Sequence, residues 1–295
     1  MRRPNAQPEL SPLQRQALID RIKAAHGYVM AHEDLEFLKK KDLRPVRLQL
    51  ELLKPEMILR EHRIRSTIVV FGSARLRSRA KAHEDLRAIA AQFGPRPASE
   101  AGRKALRRAK LAVQLSKYYE EARRFAALAA RHQPPNRHLE FVIATGGGPG
   151  AMEAANRGAF ESGAKNVGFA ITLPHEPDPN PYVTPELTFR FHYFSLRKMH
   201  FLMRARALVA FPGGYGTFDE LFETLTLVQT GKKRPIPIVL FGTEFWSKAV
   251  NFDFLLEQDM ITAEDRKLFK VVEKAEDGWD YIRNFWKEHH YALWK

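Results

Sequence analysis

The chain of 295 residues is long enough for one large α/β domain or two smaller ones. It contains no cysteine, which excludes disulfides, thiolate metal sites and a cysteine nucleophile, and this fits a reducing compartment. The net charge of +14 favours an anionic ligand. No apolar run approaches the roughly 20 residues of a membrane span, and no apolar segment of a signal peptide follows Met1. We therefore expect a cytoplasmic protein without a membrane partner.

The first 62 residues are expected to form a helical extension, followed by one domain over residues 63–295. Ser11 and Gln14 have the spacing of a capping box at the start of a helix. A helical pattern continues through this segment, and Pro55 is expected to break a helix or to lie in a first turn. The extension carries no motif of a functional site.

The main domain opens with an apolar run, Thr67–Phe71, that is typical of a buried parallel strand. Ser73 follows it and could donate to a phosphate or a ribose hydroxyl, or could be a simple turn residue. Residues from about 94 to 137 are predicted to be a basic helical insertion, with 11 Lys and Arg against three Asp and Glu. A solvated helical face is the favoured interpretation of this charge, and without a nucleic-acid-binding motif a nucleic-acid partner is not favoured.

Two glycine-rich loops each join an apolar run to a helical pattern. Residues 141–145 lead into the first loop, where Gly147, Gly148 and Met152 are candidates for ligand binding. Residues 207–211 lead into the second loop. Glycines let backbone N–H groups approach a ligand, and a helix N-terminus suits a phosphate. Because two such units are typical of a nucleotide site, we predict an α/β fold with a Rossmann-like, doubly wound parallel sheet of about six to seven strands.

The second loop and the helix after it carry most of the candidate residues. Those predicted to bind the substrate or its phosphate are Gly213, Gly214, Tyr215, Gly216 and Thr217. Thr217 is expected to cap the helix or to bind the anion. Glu220 lies about one turn inside the helix, near such an anion.

The two loops resemble the signature of the Lonely Guy (LOG) family, whose members are often labelled lysine decarboxylase-like. The matching segments are Gly146-Gly-Gly-Pro-Gly-Ala-Met152 and Pro212-Gly-Gly-Tyr-Gly-Thr-Phe-Asp-Glu220, and the similarity covers roughly residues 64–290. Characterised members are nucleoside 5′-monophosphate phosphoribohydrolases. The resemblance implies a homodimer or a larger homo-oligomer. The chemistry requires no metal, and we expect no cofactor.

The resemblance also suggests roles for particular residues. Arg197 and Glu220 match the family's essential catalytic pair. Lys198 completes the Arg-Lys pair that precedes the second loop and is a candidate for binding the substrate or its phosphate. Glu176 stands in a proline-rich loop where the family places a substrate-contacting glutamate. Glu223, one turn beyond Glu220, is a candidate for positioning the ribose. The helix that carries Arg197 is predicted to begin after a cap at Ser195, with Met199 and Met203 facing the core.

The expected activity is hydrolysis of the N-glycosidic bond of AMP or of a cytokinin riboside 5′-monophosphate, giving the free base and ribose 5-phosphate. Glu220 would either stabilise the ribosyl cation or activate water. Two alternatives stay open. One is a non-catalytic nucleotide-binding or carrier protein, and the other is a nucleic-acid-binding protein with a Rossmann-like core. An amino-acid decarboxylase is not favoured, because no lysine lies in a recognisable pyridoxal phosphate motif.

Overall fold

The computed structural model describes residues 9–132, 138–172 and 178–289. The chain forms two compact units, one up to Glu51 and the other from Leu52 onward. The boundary predicted from the sequence lies after residue 62, and one helix, Arg44–Glu61, contains the observed boundary. Among the described helices, none combines the length and the apolar character needed to cross a bilayer.

The N-terminal helices are α1 (Pro12–Ala24), α2 (Leu35–Lys39) and α3 (Arg44–Glu61). The capping box at the start of α1 is confirmed: Ser11 Oγ accepts from the Gln14 N–H at 3.2 Å, and Gln14 Oε1 accepts from the Ser11 N–H at 3.0 Å. The break predicted at Pro55 is wrong, because α3 continues through it. The proline ring is buried, and its burial offsets the missing helical hydrogen bond.

The second unit is built on a sheet of seven parallel strands. They are β1 (Thr67–Phe71), β2 (Val142–Thr145), β3 (Asn166–Ile171), β4 (Thr188–Phe191), β5 (Ala205–Ala210), β6 (Ile238–Phe241) and β7 (Phe269–Val272). Their order is β4-β3-β2-β1-β5-β6-β7, and every neighbouring pair is parallel. All residues of β1, β2 and β6 are buried, as expected for strands covered on both faces. The predicted Rossmann-like parallel sheet is confirmed.

The helices of this unit cover the sheet. They are α4 (Arg79–Phe93), α5 (Glu100–Ala130), α6 (Ala151–Glu161), α7 (Phe194–Met203), α8 (Tyr215–Gln229), α9 (Thr243–Ala249), α10 (Phe252–Glu257) and α11 (Ala275–Glu288). The segment after β6 forms two separate short helices, α9 and α10. Val250 is extended between them, and Asn251 Oδ1 caps α10 by accepting from the Phe254 N–H at 3.0 Å.

The segment predicted as an insertion contains the single long helix α5. Its first half carries the exposed cations Arg103, Lys104, Arg107 and Arg108. Its second half buries Tyr119 and Phe125 and contacts α6 and α11. That half therefore belongs to the main core.

Helix α7 differs from its prediction in where it begins and in which face it buries. It begins at Phe194 with Tyr193 as the N-cap residue, so Ser195 lies inside the helix and does not cap it. Met199 and Met203, which were predicted to face the core, are 41% and 46% exposed. The buried residues of α7 are His200, Phe201 and Leu202, since this side of the helix packs on the sheet at β3 and β4.

The strand order places a switch point between β1 and β5. The chain builds β1 to β4 in one direction and then returns to add β5 beside β1. In such sheets ligands bind at the carboxyl ends of the strands on either side of the switch. The loops after β1, β2 and β5 meet there: the Ala151 N–H donates to the Ser73 carbonyl at 3.1 Å, and the Ser73 N–H donates to the Pro212 carbonyl at 3.0 Å.

Candidate active site

The second glycine loop ends directly in α8. Gly214 is the N-cap residue, and no side chain makes a capping hydrogen bond. The prediction that Thr217 caps the helix is wrong, because the helix begins two residues earlier than Thr217. The Thr217 N–H instead donates to the Gly214 carbonyl at 3.0 Å, and the buried Thr217 side chain packs against Gly213.

The start of α8 is open to a ligand. A methyl group placed on Gly214 or Gly216 would meet no atom within 4 Å, and Tyr215 is 96% exposed. Within the described parts of the chain, the N–H groups of Tyr215 and Gly216 have no hydrogen-bond partner. Unpaired N–H groups at the positive end of a 15-residue helix suit an anion such as a phosphate.

Glu220 is a buried carboxylic acid one turn from this helix start, with 6% of its surface exposed. Burial raises the pKa of Glu220 to about 7, because the ionised form loses its hydration. The Arg197 and Lys198 cations act against this change and lower the pKa, whereas the Glu223 and Asp219 carboxylates raise it further. Glu220 can therefore exchange a proton near neutral pH.

Arg197 reaches from α7 across the sheet edge to the first glycine loop. Its Nε donates to the Phe169 carbonyl of β3 at 2.7 Å, and its guanidinium lies over the Phe201 ring at 5.1 Å from the ring centre. A Cβ on Gly146 would come within 2.6 Å of Arg197 Nη2, so the guanidinium packs directly on the glycine backbone. Burial lowers the pKa of Arg197, and the nearby Glu220 charge raises it, with burial the larger effect.

Lys198 connects α7 to α8. Its Nζ lies 3.0 Å from Asp219 Oδ1 and 3.2 Å from Glu223 Oε2. Burial lowers the pKa of Lys198, but the two carboxylates outweigh this effect and the pKa is raised. Lys198 and Glu223, predicted as separate ligand contacts, thus form an ion pair beside Glu220.

The first glycine loop approaches the β1 loop closely. Gly150 has φ +75°, and a Cβ there would overlap the Ser73 carbonyl and come within 2.7 Å of Ala74 Cα. Only glycine fits this position. Ser73 Oγ accepts from the Arg75 N–H at 3.1 Å, a turn interaction that leaves the hydroxyl proton available to a ligand.

Met152 packs against the first glycine loop. A Cβ on Gly146 would come within 2.8 Å of Met152 Sδ, and one on Gly148 within 3.0 Å of Met152 Cε. The thioether and the Arg197 guanidinium therefore both lie on the Cβ side of Gly146. Glu176, predicted to contact the substrate, lies outside the described residues.

A buried polar network supports the first loop, and sequence reasoning missed it. Thr145, Asn156, Asn166 and Asn180 are at most 5% exposed. Asn156 Oδ1 accepts from Thr145 Oγ1 at 2.7 Å and from Asn180 Nδ2 at 3.0 Å, and Asn156 Nδ2 donates to Asn166 Oδ1 at 2.9 Å. The only signal in the sequence is the presence of asparagines within otherwise apolar or proline-rich segments.

Comparison with known proteins bears on the same region. A family model described as "Possible lysine decarboxylase" matches residues 152–282. The chain is 28% identical over 153 residues to a probable cytokinin riboside 5′-monophosphate phosphoribohydrolase, LOG4, of Oryza sativa subsp. japonica; these residues are 51% of this chain and 65% of that relative. It is 25% identical to the cytokinin riboside 5′-monophosphate phosphoribohydrolase LOG2 of Arabidopsis thaliana, over 51% of this chain and 70% of the relative. The resemblance to the Lonely Guy family is confirmed.

The segment matched by the Lonely Guy family model includes Arg197, Lys198 and Glu220 but begins after the first glycine loop. Two solved structures are also similar. The X-ray structure of a structural-genomics target has a TM-score of 0.44 and 18% identity, over 74% of this chain and 99% of that one. A molybdenum cofactor binding protein from Rippkaea orientalis has a TM-score of 0.40 and 19% identity, over 57% of this chain and 88% of that one.

Proposed function

We propose that this protein hydrolyses the N-glycosidic bond of a nucleoside 5′-monophosphate, with AMP or a cytokinin riboside 5′-monophosphate as substrate. The products are the free base and ribose 5-phosphate. The observation that carries the proposal is the placement of Glu220. A carboxyl with a pKa of about 7 is buried one turn from an uncapped helix start and is influenced by the Arg197 cation.

The 5′-phosphate would bind at the start of α8. The free N–H groups of Tyr215 and Gly216 and the open space over Gly214 and Gly216 support this placement. A phosphate held there would fix the ribose with its anomeric carbon a short distance from the anchor. Such anchoring converts attack by water into an effectively unimolecular step.

Glu220 would then act on the reacting ribose. Cleavage of the bond leaves positive charge on the anomeric carbon, which a carboxylate stabilises, or which water attacks after giving its proton to the carboxylate. Either role requires the ionised form of Glu220. The base departs with the bonding electron pair and takes up a proton, and water supplies the hydroxyl of ribose 5-phosphate.

Arg197 would assist at the same step. Its guanidinium is anchored at Nε by the Phe169 carbonyl, so the remaining N–H groups are held in a fixed direction. A fixed cation lowers the Glu220 pKa and can also donate to the phosphate or to the departing base. The ion pair of Lys198 with Asp219 and Glu223 would hold α7 and α8 together around it.

The test is a panel of nucleoside 5′-monophosphates and cytokinin riboside 5′-monophosphates incubated with the purified protein and separated by chromatography. We expect free base from at least one member, and a loss of at least about 100-fold in Glu220→Ala and Arg197→Ala. A matched control is Glu244→Ala, which removes an exposed glutamate whose nearest cation is Lys248. Binding without base release from any member would contradict hydrolysis and favour a carrier protein.

The nucleic-acid alternative rests on a separate feature. The exposed cations in the first half of α5 form a basic helical face. Nucleic acid bound there would be released steeply by salt, and reversal of Arg103 and Arg107 to glutamate would abolish binding. Nucleotide hydrolysis requires neither this salt dependence nor the cations at Arg103 and Arg107. The two functions can therefore be tested separately.

A homo-oligomer is part of the same proposal. Phe194, Met199 and Met203 of α7 and Phe222 of α8 are each at least 36% exposed, and exposed large apolar side chains commonly lie in interfaces. Light scattering on the purified protein should give a mass of two chains or more. A monomer at micromolar concentration would contradict this part of the proposal.

A further inference from the structure

The buried network beside the first glycine loop contains one residue that touches the loop twice. Asn180 Nδ2 lies 3.0 Å from the carbonyl oxygens of both Gly147 and Gly148, and the Asn180 backbone N–H donates to the Gly147 carbonyl at 2.8 Å. Its third acceptor is Asn156 Oδ1, also at 3.0 Å. Because all three neighbours of Nδ2 are acceptors, the amide nitrogen must face them.

The amide fixes the direction of the loop's peptide groups. The described peptide bonds are all trans, so the carbonyl of Gly147 and the N–H of Gly148 point in opposite directions. Holding the Gly147 oxygen toward Asn180 therefore turns the Gly148 N–H away from it. Within the described residues, that N–H has no hydrogen-bond partner.

The same loop contacts the catalytic side of the site. Gly146 directly precedes Gly147 and Gly148, which Asn180 contacts, and the Arg197 guanidinium packs on Gly146. Arg197 keeps its own anchor at Nε on the Phe169 carbonyl at 2.7 Å, which does not involve the loop. A change in the loop should therefore alter ligand binding more than it alters the catalytic pair.

We infer that Asn180 is a positioning residue for nucleotide binding: it holds Gly147 and Gly148 so that the first glycine loop offers the Gly148 N–H to the bound nucleoside 5′-monophosphate, while the Gly147 N–H donates to Thr145 Oγ1. The inference rests on the proposed function of the site. It assigns a role to a residue that touches the loop but carries no reacting atom.

The test compares two isosteric substitutions in the same buried network. Asn180→Asp replaces the amide that faces two loop carbonyls with an oxygen, which cannot donate when ionised. Asn166→Asp makes the same chemical change at a residue whose side chain bonds to Asn156, Tyr182 and Thr184 but does not touch the loop. Asn180→Ala removes the amide without adding a charge, in case the aspartate variant does not fold.

With AMP as the probe, we expect Asn180→Asp and Asn180→Ala to raise KM by about tenfold or more while kcat stays within about threefold. Asn166→Asp should lower stability in urea without changing KM for AMP. Equal changes in KM for Asn166→Asp and the Asn180 variants, or an unchanged KM in both Asn180 variants, would overturn the inference.

A second measurement separates this inference from the proposed reaction. If the wild-type protein binds AMP but releases no base, the dissociation constant for AMP from calorimetry replaces KM. Weaker AMP binding in the Asn180 variants, with unchanged binding in Asn166→Asp, would still support the positioning role even though the proposed hydrolysis had failed. Unchanged AMP binding in those variants would overturn it whether or not the wild type is active.

Discussion

Arg197 and Glu220 each shift the pKa of the other without forming a direct ion pair. The pKa of Glu220 is lowered by the Arg197 cation, although burial raises it more, and the pKa of Arg197 is raised by the Glu220 charge. Within the described residues the two make no ion pair at 4.0 Å or less. The two charges are therefore coupled without a direct salt bridge, so neither side chain is committed to the other and both can interact with a substrate.

The pH dependence of activity should report the ionisation of Glu220. Both roles considered for Glu220 need the carboxylate, so kcat/KM should rise with pH and level off above an apparent pKa near 7. A falling profile over the same range would mean that the protonated acid is the active form. The measurement is kcat/KM for AMP from pH 5 to 9.

Two neighbouring substitutions should move this profile in opposite directions. Lys198→Met removes a cation that lowers the Glu220 pKa, so the rise in activity should shift to higher pH. Glu223→Gln removes an anion that raises the Glu220 pKa, so the rise should shift to lower pH. Shifts of the same sign in both variants would contradict this electrostatic account.

Glu220→Gln should be more stable than the wild type at high pH. The folded-state pKa of about 7 lies above the ordinary value of 4.5, so the stabilising effect of the protonated acid is complete below 4.5 and is lost as the pH rises through 7. Glutamine does not ionise, and its advantage above pH 8 should reach about 3 kcal/mol at most, at roughly 1.4 kcal/mol for each pH unit.

Urea denaturation of Glu220→Gln and the wild type at pH 4.5 and pH 8.5 measures this difference. We expect similar unfolding free energies at the lower pH and a clear gain for the variant at the higher pH. A gain of equal size at both pH values would show that the ionisation of Glu220 is not its cause.

Gly213→Ala should destabilise the start of α8. The new Cβ would overlap Thr217 Oγ1 and come within 2.6 Å of Thr217 Cβ, so the helix start must shift. Overpacking of this kind costs about 1–3 kcal/mol of unfolding free energy, and AMP binding should weaken with it. Unchanged stability in urea would show that the loop accommodates the methyl group.

Gly216→Ala provides the matched control for Gly213→Ala. A Cβ on Gly216 meets no atom within 4 Å, and alanine favours a helix by up to about 1 kcal/mol over glycine, so stability should be kept or raised. AMP binding should nevertheless weaken, because the methyl group enters the space assigned to the phosphate. Unchanged AMP affinity would place the phosphate elsewhere.

The sequence predicted the sheet well because its strands are continuous apolar runs. The bounds of β1 agree with those predicted, and the glycine loops after β2 and β5 lie at the carboxyl edge of the sheet as expected. Buried parallel strands leave a strong pattern because both faces are covered.

Helix ends were less predictable, since several residues compete to begin a helix. Ser195 and Thr217 are good caps by residue type, yet Tyr193 and Gly214 hold those positions. The exposure of Met199 depends on which face of α7 packs on the sheet, and spacing within one helix does not decide this. The role of Asn180 was hidden because asparagine among prolines usually indicates an exposed turn.

The most direct test of the central claim is the identity of the products formed from AMP. Proton and phosphorus NMR of the reaction should show adenine and ribose 5-phosphate in equal amounts, with none formed by Glu220→Gln. Adenosine with inorganic phosphate would instead show cleavage of the phosphate ester. That result, or the absence of any turnover across the nucleotide panel, would contradict the assignment of this site to N-glycosidic hydrolysis.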